Sequence, residues 1–457
     1  MRSKNRRLFE EDRRFFLRGC AALGTLGLTT AMTDLRLINA AAAQSSFQDF
    51  KALVCCFNYG GTDSMQFLCP TTGSDYDEYA QARQNLAYPK EQLLSIGDID
   101  GREFGMPGEF QGLHTLYQEN KLAMVANIGT LLYPVTLEEA RDRAFRWKLP
   151  RQLYSHNSQQ EVWQTSRADT HEGLTGWGGR MADLVDSLNH VDDFAMNFSL
   201  GGFNRFQVGE VATQYHLGPT GAVALKVPGE EGSPLRSVAQ SAMEQLMAST
   251  PHLMGQYHRD IKGNALDKYQ LITDALGSLS PLATAFPASR LGSSLRMAAQ
   301  MIAAGPSMGF KRMCLFVSEG GWDTHGGPIE PKLGNLGDSL TAFTRAVEEL
   351  GISDKVTLFT ASDFGRTFNS NGTGSDHGWG GNQMVMGGAV KGGKVYGTIP
   401  RLVPNSPDFA SRRAFMPTTA VDSYNATLAT WFGVSNSDLS YVLPHISRFP
   451  NDLGFMG

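Results

Sequence analysis

The fold is decided by residues 312–367, which read RMCLFVSEGGWDTHGGPIEPKLGNLGDSLTAFTRAVEELGISDKVTLFTASDFGRT. Two apolar runs, 312–317 and 356–360, have the length and composition of buried β-strands. Between them, apolar residues recur at helical spacing before a glycine stop: Leu333, Leu336, Leu340, Phe343, Val347, Leu350 and then Gly351. A strand, a helix and a second strand in this order form a βαβ unit. We therefore predict an α/β fold with a largely parallel sheet.

Further elements are predicted on both sides of this unit. Residues 51–57 and 122–128 are apolar runs that end near glycines, as buried strands do. A helix is predicted from about 418 to 432, opened by Pro417 and closed by Gly433. Between residues 201 and 305 the pattern changes to Gly- and Pro-rich turns and helical runs at 235–247 and 258–276. This part is predicted to be a mostly helical insertion or cap.

The N-terminus has the pattern of a twin-arginine signal peptide. Arg13-Arg14 is followed by Phe and Leu, then by an apolar, small-residue run from 20 to 32 and the Ala run 40–43. The alternative is a cytosolic protein with a basic amphipathic N-terminus. Cys20 lies at the N-terminal end of the apolar run, whereas the cysteine of a lipoprotein would lie after that run. Lipid anchoring is therefore not favoured. We expect cleavage near Ala43, the twin-arginine export machinery as a partner, and a periplasmic or secreted protein with one domain over residues 44–457.

The composition excludes several classes of partner. The net charge is −5, and removal of residues 1–43 takes away eight basic and four acidic residues, which leaves −9. An acidic surface argues against nucleic acid or anionic lipid as a partner. No later apolar run approaches the ~20 residues that a membrane-spanning helix needs, so stable membrane insertion is not expected. The cysteines give neither a disulfide framework nor a CxxC metal motif.

Polar clusters follow the predicted strands or open predicted helices: Gly60 to Ser64, Ser155-His156, Glu319 to Gly327, Ser362 to Thr367 and Ser375 to Gly378. The carboxyl ends of parallel strands meet at one edge of a sheet, so the acids Asp63, Asp323, Asp363 and Asp376 are expected there. Asp323 and His325 are two residues apart and could face one ion from an extended loop.

Carboxylates with imidazoles and without thiolates suit a divalent metal, with Zn²⁺ or Mn²⁺ favoured over Mg²⁺ or Ca²⁺. The alternative for any single acid is a turn or a helix N-cap, and Asp376-His377 could be a surface turn. The recurrence of acids at one edge, two of them near a histidine, favours a metal site.

At these residues the chain resembles the twin-arginine-exported, sulfatase-like family known as domain of unknown function 1501. The motifs that carry the resemblance extend over the chain after the signal peptide: Lys51 to Val54 leading to Gly-Gly-Thr-Asp-Ser, Tyr79 to Arg83, Ser155-His156 with Trp163-Gln164, Thr175-Gly176-Trp177, Gly321 to His325, Ser362 to Thr367, Asp376 to Gly378, Pro417 to Asp422 and Trp431 to Gly433. The family has no settled activity, so the resemblance implies a fold: an alkaline-phosphatase-like, three-layer α/β/α domain.

The wider superfamily of alkaline phosphatases and sulfatases binds one or two divalent metals at the strand edge. By resemblance, the metal ligands would be Asp63, Asp323, His325, Asp363 and His377, and the position of Asp376 at the same edge adds it to the expected ligands. Ser155 stands where the superfamily has its nucleophile, at the start of a helix, whose free N–H groups favour an anion. Ser155-His156 could equally be a helix N-cap. His156 would be a base or a further ligand, and Arg366 would clamp substrate oxygens.

The chain departs from the superfamily pattern in three ways. First, Phe364 follows Asp363, where the superfamily pattern has a His after the corresponding Asp. Second, Asp323 and His325 are separated by one residue, where three are usual. Third, family members commonly have Glu at the position of Asp363. These departures favour one metal or a degenerate site over a complete pair.

Two functions follow. The first is an exported metal-dependent hydrolase of phosphate or sulfate esters, with an anionic small-molecule or polymer ester as substrate. The second is a non-catalytic binding or assembly protein of the cell envelope that keeps the fold.

Overall fold

The computed structural model of the protein describes residues 50–170, 175–189, 194, 196–223 and 266–457, together with 233–234, 237–238, 241–242 and 245. The predicted signal peptide, residues 1–43, lies outside the described residues. So does most of the predicted helical run 235–247. The domain boundaries stay predictions.

The β-strands of the described residues are, in chain order, β1 Lys51–Asn58, β2 Cys69–Pro70, β3 Leu94–Ile99, β4 Arg102–Met106, β5 Leu122–Gly129, β6 Asn197–Ser199, β7 Gln214–Gly218, β8 Gly221–Ala222, β9 Arg312–Glu319, β10 Val356–Ser362, β11 Gly381–Met386, β12 Lys394–Tyr396, β13 Phe409–Ser411, β14 Ala414–Phe415 and β15 Thr419–Ala420. Strands β2 to β4 form a small antiparallel sheet, and β13 and β14 form a hairpin.

A large sheet forms the core, with the strand order β12-β5-β11-β10-β1-β9-β6-β7-β8 and with β15 paired to β5. Strand β1 lies between β10 and β9 and is parallel to both, and β6 continues in the same direction beside β9. Strand β11 runs against β10 and β5, and β8 runs against β7. The predicted α/β fold with a largely parallel sheet is therefore confirmed.

The helices are α1 Gly73–Arg83, α2 Gln111–Gln118, α3 Leu137–Arg141, α4 His156–Thr165, α5 Trp177–Val185, α6 Arg290–Ala304, α7 Glu330–Glu349, α8 Val421–Phe432 and α9 Leu439–Val442. Helices α2 and α6 pack against α7, and α6 also contacts β9. A second group, α4, α5, α8 and α9, packs together and contacts β10, β9 and β1. The two groups and the sheet between them make the three layers.

The four strands predicted from apolar runs are present as β1, β5, β9 and β10. Strand β1 is apolar almost throughout because it lies in the middle of the sheet, and Leu53 and Cys56 are fully buried. Helix α7 connects β9 to β10 across β1, so the predicted βαβ unit spans three neighbouring strands. Helix α8 ends at Gly433, whose φ of 129° few other residues adopt.

The region predicted as a helical insertion, residues 201–305, contributes a helix to the core at its C-terminal end. Strands β7 and β8 lie at one edge of the sheet, and residues 266–277 are helical. Helix α6 is a core helix, since it packs on both α7 and β9. Its first turn is capped by the Ser289 side chain, which accepts a hydrogen bond from the Gly292 N–H.

No helix among the described residues is long and apolar enough to cross a membrane.

Candidate metal centre

Three strands end side by side at the edge where the polar clusters were predicted. Asn58 of β1 is in register with Glu319 of β9 and with Ser362 of β10. The chain then leaves the sheet in two long loops, 320–329 after β9 and 363–380 after β10. Helix α4 begins at the same place with His156. The topology therefore brings together residues that are more than 150 positions apart in the chain.

His156 is the first residue of α4 and has both ring nitrogens next to carboxylates. Its Nδ1 lies 2.7 Å from Oδ2 of Asp363, and its Nε2 lies 3.4 Å from Oδ2 of Asp323. The same Asp363 oxygen accepts hydrogen bonds from the Gln160 side chain and the Gly60 backbone. That oxygen is thus an acceptor, so Nδ1 of His156 carries a proton, and in the neutral ring Nε2 then offers a lone pair towards Asp323.

His377 is oriented in the same way by a backbone group. Its Nδ1 lies 2.8 Å from the carbonyl oxygen of Tyr154, which can only accept. Its Nε2 lies 3.1 Å from Oδ1 of Asp323. Two acceptors at this distance repel each other unless a cation or a proton lies between them.

His325 is the third imidazole of the group. Its Nδ1 lies 3.2 Å from Oδ1 of Asp376, and that oxygen also accepts from Asn371. Its Nε2 lies 3.0 Å from Oδ1 of Asp323 and 3.2 Å from Nε2 of His377. All three imidazoles are therefore held through Nδ1 by an oxygen, and all three turn Nε2 towards the Asp323 carboxylate.

Asp323 is kept ionised at the centre of this group. Partial burial alone would raise the pKa of its carboxyl, but the hydrogen bond and charge of Arg366, with the nearby imidazoles, hold that pKa below its ordinary value. Arg366 is fully buried and uses every nitrogen within the protein, on Asp323, on the Gly60 carbonyl and on both Ser375 oxygens. The contacts make Arg366 a residue that orients Asp323, in contrast to the substrate clamp expected from the sequence.

Asp363 is buried behind His156. Burial raises the pKa of its carboxyl, while the hydrogen bonds from Gln160, His156 and Gly60 act in the opposite direction. Its Oδ1 has no hydrogen-bond partner among the described residues. Through Oδ2, Asp363 holds the His156 imidazole, and its role as a direct metal ligand stays a prediction.

Asp63 lies at the same sheet edge but points elsewhere. Its Oδ2 forms a buried ion pair with Arg83 at the end of α1, at 2.5 Å, and accepts from the Ser375 hydroxyl at 3.3 Å. The Arg83 guanidinium also donates to the carbonyls of Thr367 and Phe368, so it ties the loop after β10 to α1. Asp63 therefore supports that loop, and among the described residues it forms no hydrogen bond or ion pair with the three imidazoles.

Ser155 occupies the N-cap position of α4, yet its side chain makes no capping hydrogen bond. It lines a surface cleft of about 600 Å³ together with Tyr154 and residues 149–153. Because Tyr154 also holds His377, the cleft opens beside the imidazoles. The Ser155 hydroxyl therefore does not cap the helix, and the residue lines the cleft directly before His156 in the chain.

Phe364 fills the position where the superfamily pattern has a histidine. Its ring is buried and lies 5.0 Å from the His156 ring and 4.8 Å from the His377 ring, centre to centre. Gly61 makes room for it, since a Cβ there would lie 2.4 Å from the Phe364 ring. An apolar wall therefore replaces a second set of ligands on this side.

The donor set fits a single divalent ion. His156, Asp323 and His377 each offer a ligand atom, and these atoms lie within 4.8 Å of one another. The Asp323 oxygens lie 3.4 Å from Nε2 of His156 and 3.1 Å from Nε2 of His377, close to the ~3.3 Å between ligands of a tetrahedral zinc with bonds of ~2.0 to 2.1 Å. Imidazoles fixed by carboxylate or carbonyl oxygens are the usual arrangement around protein-bound zinc.

Sequence reasoning missed Gln160 and Tyr154. Gln160 lies four residues after His156 on α4, so helical spacing could have paired the two side chains. Tyr154 contributes a backbone carbonyl, for which the sequence carries no signal.

Comparison with known sequences gives a family match over part of the chain. The profile of a family described as "Protein of unknown function (DUF1501)" matches residues 239–438. This match supports the family indicated by the motifs. The DUF1501 range includes Asp323, His325, Asp363 and His377, whereas His156 precedes it. A search of curated proteins gave no match.

Solved structures with a similar arrangement include the PsFucS1 sulfatase from Pseudoalteromonas sp., with a TM-score of 0.38 and 6% identity over 89% of this chain and 72% of that one. Another is Ps i-CgsB, with a TM-score of 0.36 and 10% identity over 88% of this chain and 78% of that one. The lipoteichoic acid synthase LtaP from Listeria monocytogenes has a TM-score of 0.34 and 9% identity over 88% and 79% of the two chains. The fold class assigned above rests on the sheet topology of this chain.

Proposed function

We propose that this chain is a metal-dependent hydrolase of phosphate or sulfate esters. The observation that carries the proposal is the convergence of three imidazole Nε2 atoms on the Asp323 carboxylate at the carboxyl edge of the parallel strands. A group of lone pairs and one carboxylate at such short distances is suited to a cation. The Asp323 and His377 side chains are 44% and 24% exposed, so a ligand can reach them from solvent.

The ion would be held by His156, Asp323 and His377, with His325 as a fourth ligand. Nitrogen and carboxylate donors without a thiolate favour Zn²⁺ or Mn²⁺ over Mg²⁺ or Ca²⁺. One ion suits this site better than two, because Asp63 is paired with Arg83 and Asp363 with His156. A divalent ion here would lower the pKa of water or of an alcohol and offset the negative charge of the transferred group.

The residues of this chain would orient and screen the reacting groups. Arg366 fixes Asp323, and Asp363 and the Tyr154 carbonyl fix the rings of His156 and His377. Phe364 keeps water away from the inner side of those two rings. Ser155 is the candidate nucleophile, since its hydroxyl makes no cap and stands at the start of a ten-residue helix that favours an anion.

The cellular location belongs to the same proposal. The paired arginines, the apolar run and the Ala run before Gln44 support export by the twin-arginine route into the periplasm or beyond. That route carries folded proteins, which suits a metal loaded before transport.

A second candidate is a non-catalytic protein of the cell envelope that keeps the metal site for structure or binding. The observation that favours it is Phe364, whose ring takes the place of a ligand and leaves room for one ion. This candidate predicts about one equivalent of bound metal and no turnover of any ester.

The two candidates are separated by metal analysis followed by an activity panel. Protein purified without chelators is analysed for bound metal and then assayed on aryl phosphates and aryl sulfates with added Zn²⁺ or Mn²⁺. The hydrolase requires about one equivalent of metal and turnover that disappears in His377→Ala. Absence of both bound metal and turnover would overturn the proposal.

A further inference from the structure

A basic segment borders the cleft beside the metal centre. Arg146 and Arg151 line that cleft of about 600 Å³, and Arg143 precedes them on the same exposed segment. Residues 146 and 149–155, which form the cleft, include no acidic residue. This is a local concentration of positive charge on a chain whose net charge is −5.

The guanidinium groups of this segment have no partners within the described residues. Nearby basic residues show the contrast: Arg141 donates to the carbonyls of Pro407 and Phe409, and Lys148 is paired with Glu139. The backbone carbonyls of Arg146 and Arg151 accept hydrogen bonds, but their guanidinium groups form no hydrogen bond, ion pair or ring contact with the described part of the chain. Several unpaired guanidinium groups along one segment repel one another, and a bound anion would offset this repulsion.

Tyr154 connects this basic cleft to the metal centre. Its backbone carbonyl orients His377, its hydroxyl is 2.6 Å from the Ser411 hydroxyl, and its ring lies 5.9 Å from the Arg412 guanidinium carbon. Arg412 and Arg413 are both exposed, so the positive surface continues past Tyr154. Exposed basic residues therefore lie on both sides of Tyr154, which offers more positive groups than a single ester group can contact.

An exposed aromatic side chain lies in the same segment. Trp147 is 63% exposed, and its ring is supported from one side by the edge of Tyr133 at 5.6 Å. The Lys148 ammonium lies over this ring, 5.7 Å from its centre, and the remaining exposed surface of the indole is available to the C–H face of a sugar ring.

From these observations we infer that the basic segment 143–151 binds an anionic polysaccharide and presents one of its ester groups to the metal centre. The inference rests on the proposed function, because it names the substrate class of that site. Guanidinium groups match the paired oxygens of sulfate and phosphate groups. A polysaccharide with pendant monoesters supplies such groups along its length, whereas the backbone of a nucleic acid consists of diesters.

The test is binding of dextran sulfate of defined length, measured by titration with and without a chelator, against uncharged dextran and single-stranded DNA. The variant Arg146→Gln/Arg151→Gln removes two charges from the cleft. The matched control, Lys391→Gln/Lys394→Gln, removes two charges next to β12 at the amino ends of the parallel strands. Arg143→Gln serves as an independent second variant of the segment.

We expect the cleft variant to weaken dextran sulfate binding at least tenfold and to reduce the slope of log affinity against log salt by about two. The control should bind as the wild type does, and chelation should leave binding in place. Equal effects of the two double variants, or tighter cleft-dependent binding of DNA, would overturn the inference. Retained binding with no turnover of any ester would instead count against the hydrolase.

Discussion

The Nε2 atom of His377 lies 3.1 Å from Oδ1 of Asp323, and the Nδ1 atom of the same ring lies 2.8 Å from the carbonyl oxygen of Tyr154. A carbonyl accepts only, so Nδ1 carries a proton, and in the neutral ring a lone pair on Nε2 faces a carboxylate. His156 and His325 repeat this arrangement with Asp363 and Asp376. Three such contacts around one carboxylate are unfavourable without positive charge between them, and this requirement is the basis of the metal predictions.

The first prediction concerns the central carboxylate. Asp323→Ala should lower bound metal well below one equivalent, because it removes the only anionic ligand among the donors. His325→Ala should also lower occupancy, but less if His156 and His377 continue to hold the ion. Asp354→Ala, an exposed carboxylate in the turn before β10, is the control and should leave metal content unchanged. Elemental analysis checks this, and full occupancy in Asp323→Ala would mean that the loop is only a structural turn.

The second prediction concerns the carboxylate behind His156. Asp363→Asn keeps the size of the side chain but removes the charge that fixes the imidazole tautomer. Metal affinity should fall by about 10- to 100-fold, as for other partners of metal-binding histidines. A competition titration with a colorimetric chelator measures the change. An unchanged dissociation constant would show that Asp363 is a packing residue without influence on the site.

The third prediction separates the two roles of Ser155. Because its side chain makes no capping hydrogen bond, Ser155→Ala should change the free energy of unfolding by less than about 0.5 kcal/mol. Ester hydrolysis should be abolished if Ser155 is the nucleophile, with metal content unchanged. Thr136→Ala is the comparison, since Thr136 forms a full capping box with Glu139, and it should cost about 1 kcal/mol without affecting the site. Activity retained in Ser155→Ala would leave Ser64 or water to be considered as the nucleophile.

The fourth prediction concerns export. Replacement of Arg13 and Arg14 by Lys should block transport, because the receptor of the twin-arginine route recognises the arginine pair. The precursor should then accumulate in the cytoplasm, while the wild type is cut near Ala43. Cell fractionation followed by N-terminal sequencing measures both. Periplasmic accumulation of the double variant at the wild-type level would refute the route.

The fold was largely predictable because its central strands are buried on both faces. Continuous apolar runs such as 51–57 and 356–360 are typical of strands in the middle of a parallel sheet. In the helix between β9 and β10, the apolar residues recur at the spacing of one helix face. Strand β11, GNQMVM, was not predicted. Its polar residues are satisfied by specific tertiary partners, for example Asn382 by Ser64, and the sequence does not show them.

The candidate site was predictable as a location but not as a set of roles. The spacing of Asp323 and His325 correctly put both side chains in one group, and the strand order brought Asp363 and His377 to the same edge. Asp63 and Asp363 look like the other acids in sequence, yet one is paired with Arg83 and the other with His156. Those pairings depend on residues 20 and 207 positions away. Only tertiary structure decides which carboxylate lies among the imidazole Nε2 atoms and which supports a neighbouring side chain.

The last prediction is a pH dependence that arises away from the metal centre, at Asp422 near the start of α8. The side chain is 3% exposed, and its Oδ1 has no hydrogen-bond partner among the described residues. Burial raises the pKa of this carboxyl from 3.8 to about 7, although the charges of Arg180 and Arg448 oppose the shift. Between those two pH values the folded protein retains a proton that the unfolded chain has released. The stabilising contribution of that proton is complete below about pH 4 and is lost as the pH rises through 7.

Asp422→Asn mimics the protonated acid at every pH. The variant should match the wild type in free energy of unfolding near pH 4 and exceed it near pH 8, by up to about 4 kcal/mol at ~1.4 kcal/mol per unit of pKa shift. Denaturant titrations at several pH values measure the difference between the two proteins, which cancels the contribution of all other titrating groups. Asp354→Asn, at an exposed position, should show no such divergence. Parallel curves for Asp422→Asn and the wild type from pH 4 to pH 8 would mean that the carboxyl stays ionised in the folded protein, held by Arg180 and Arg448.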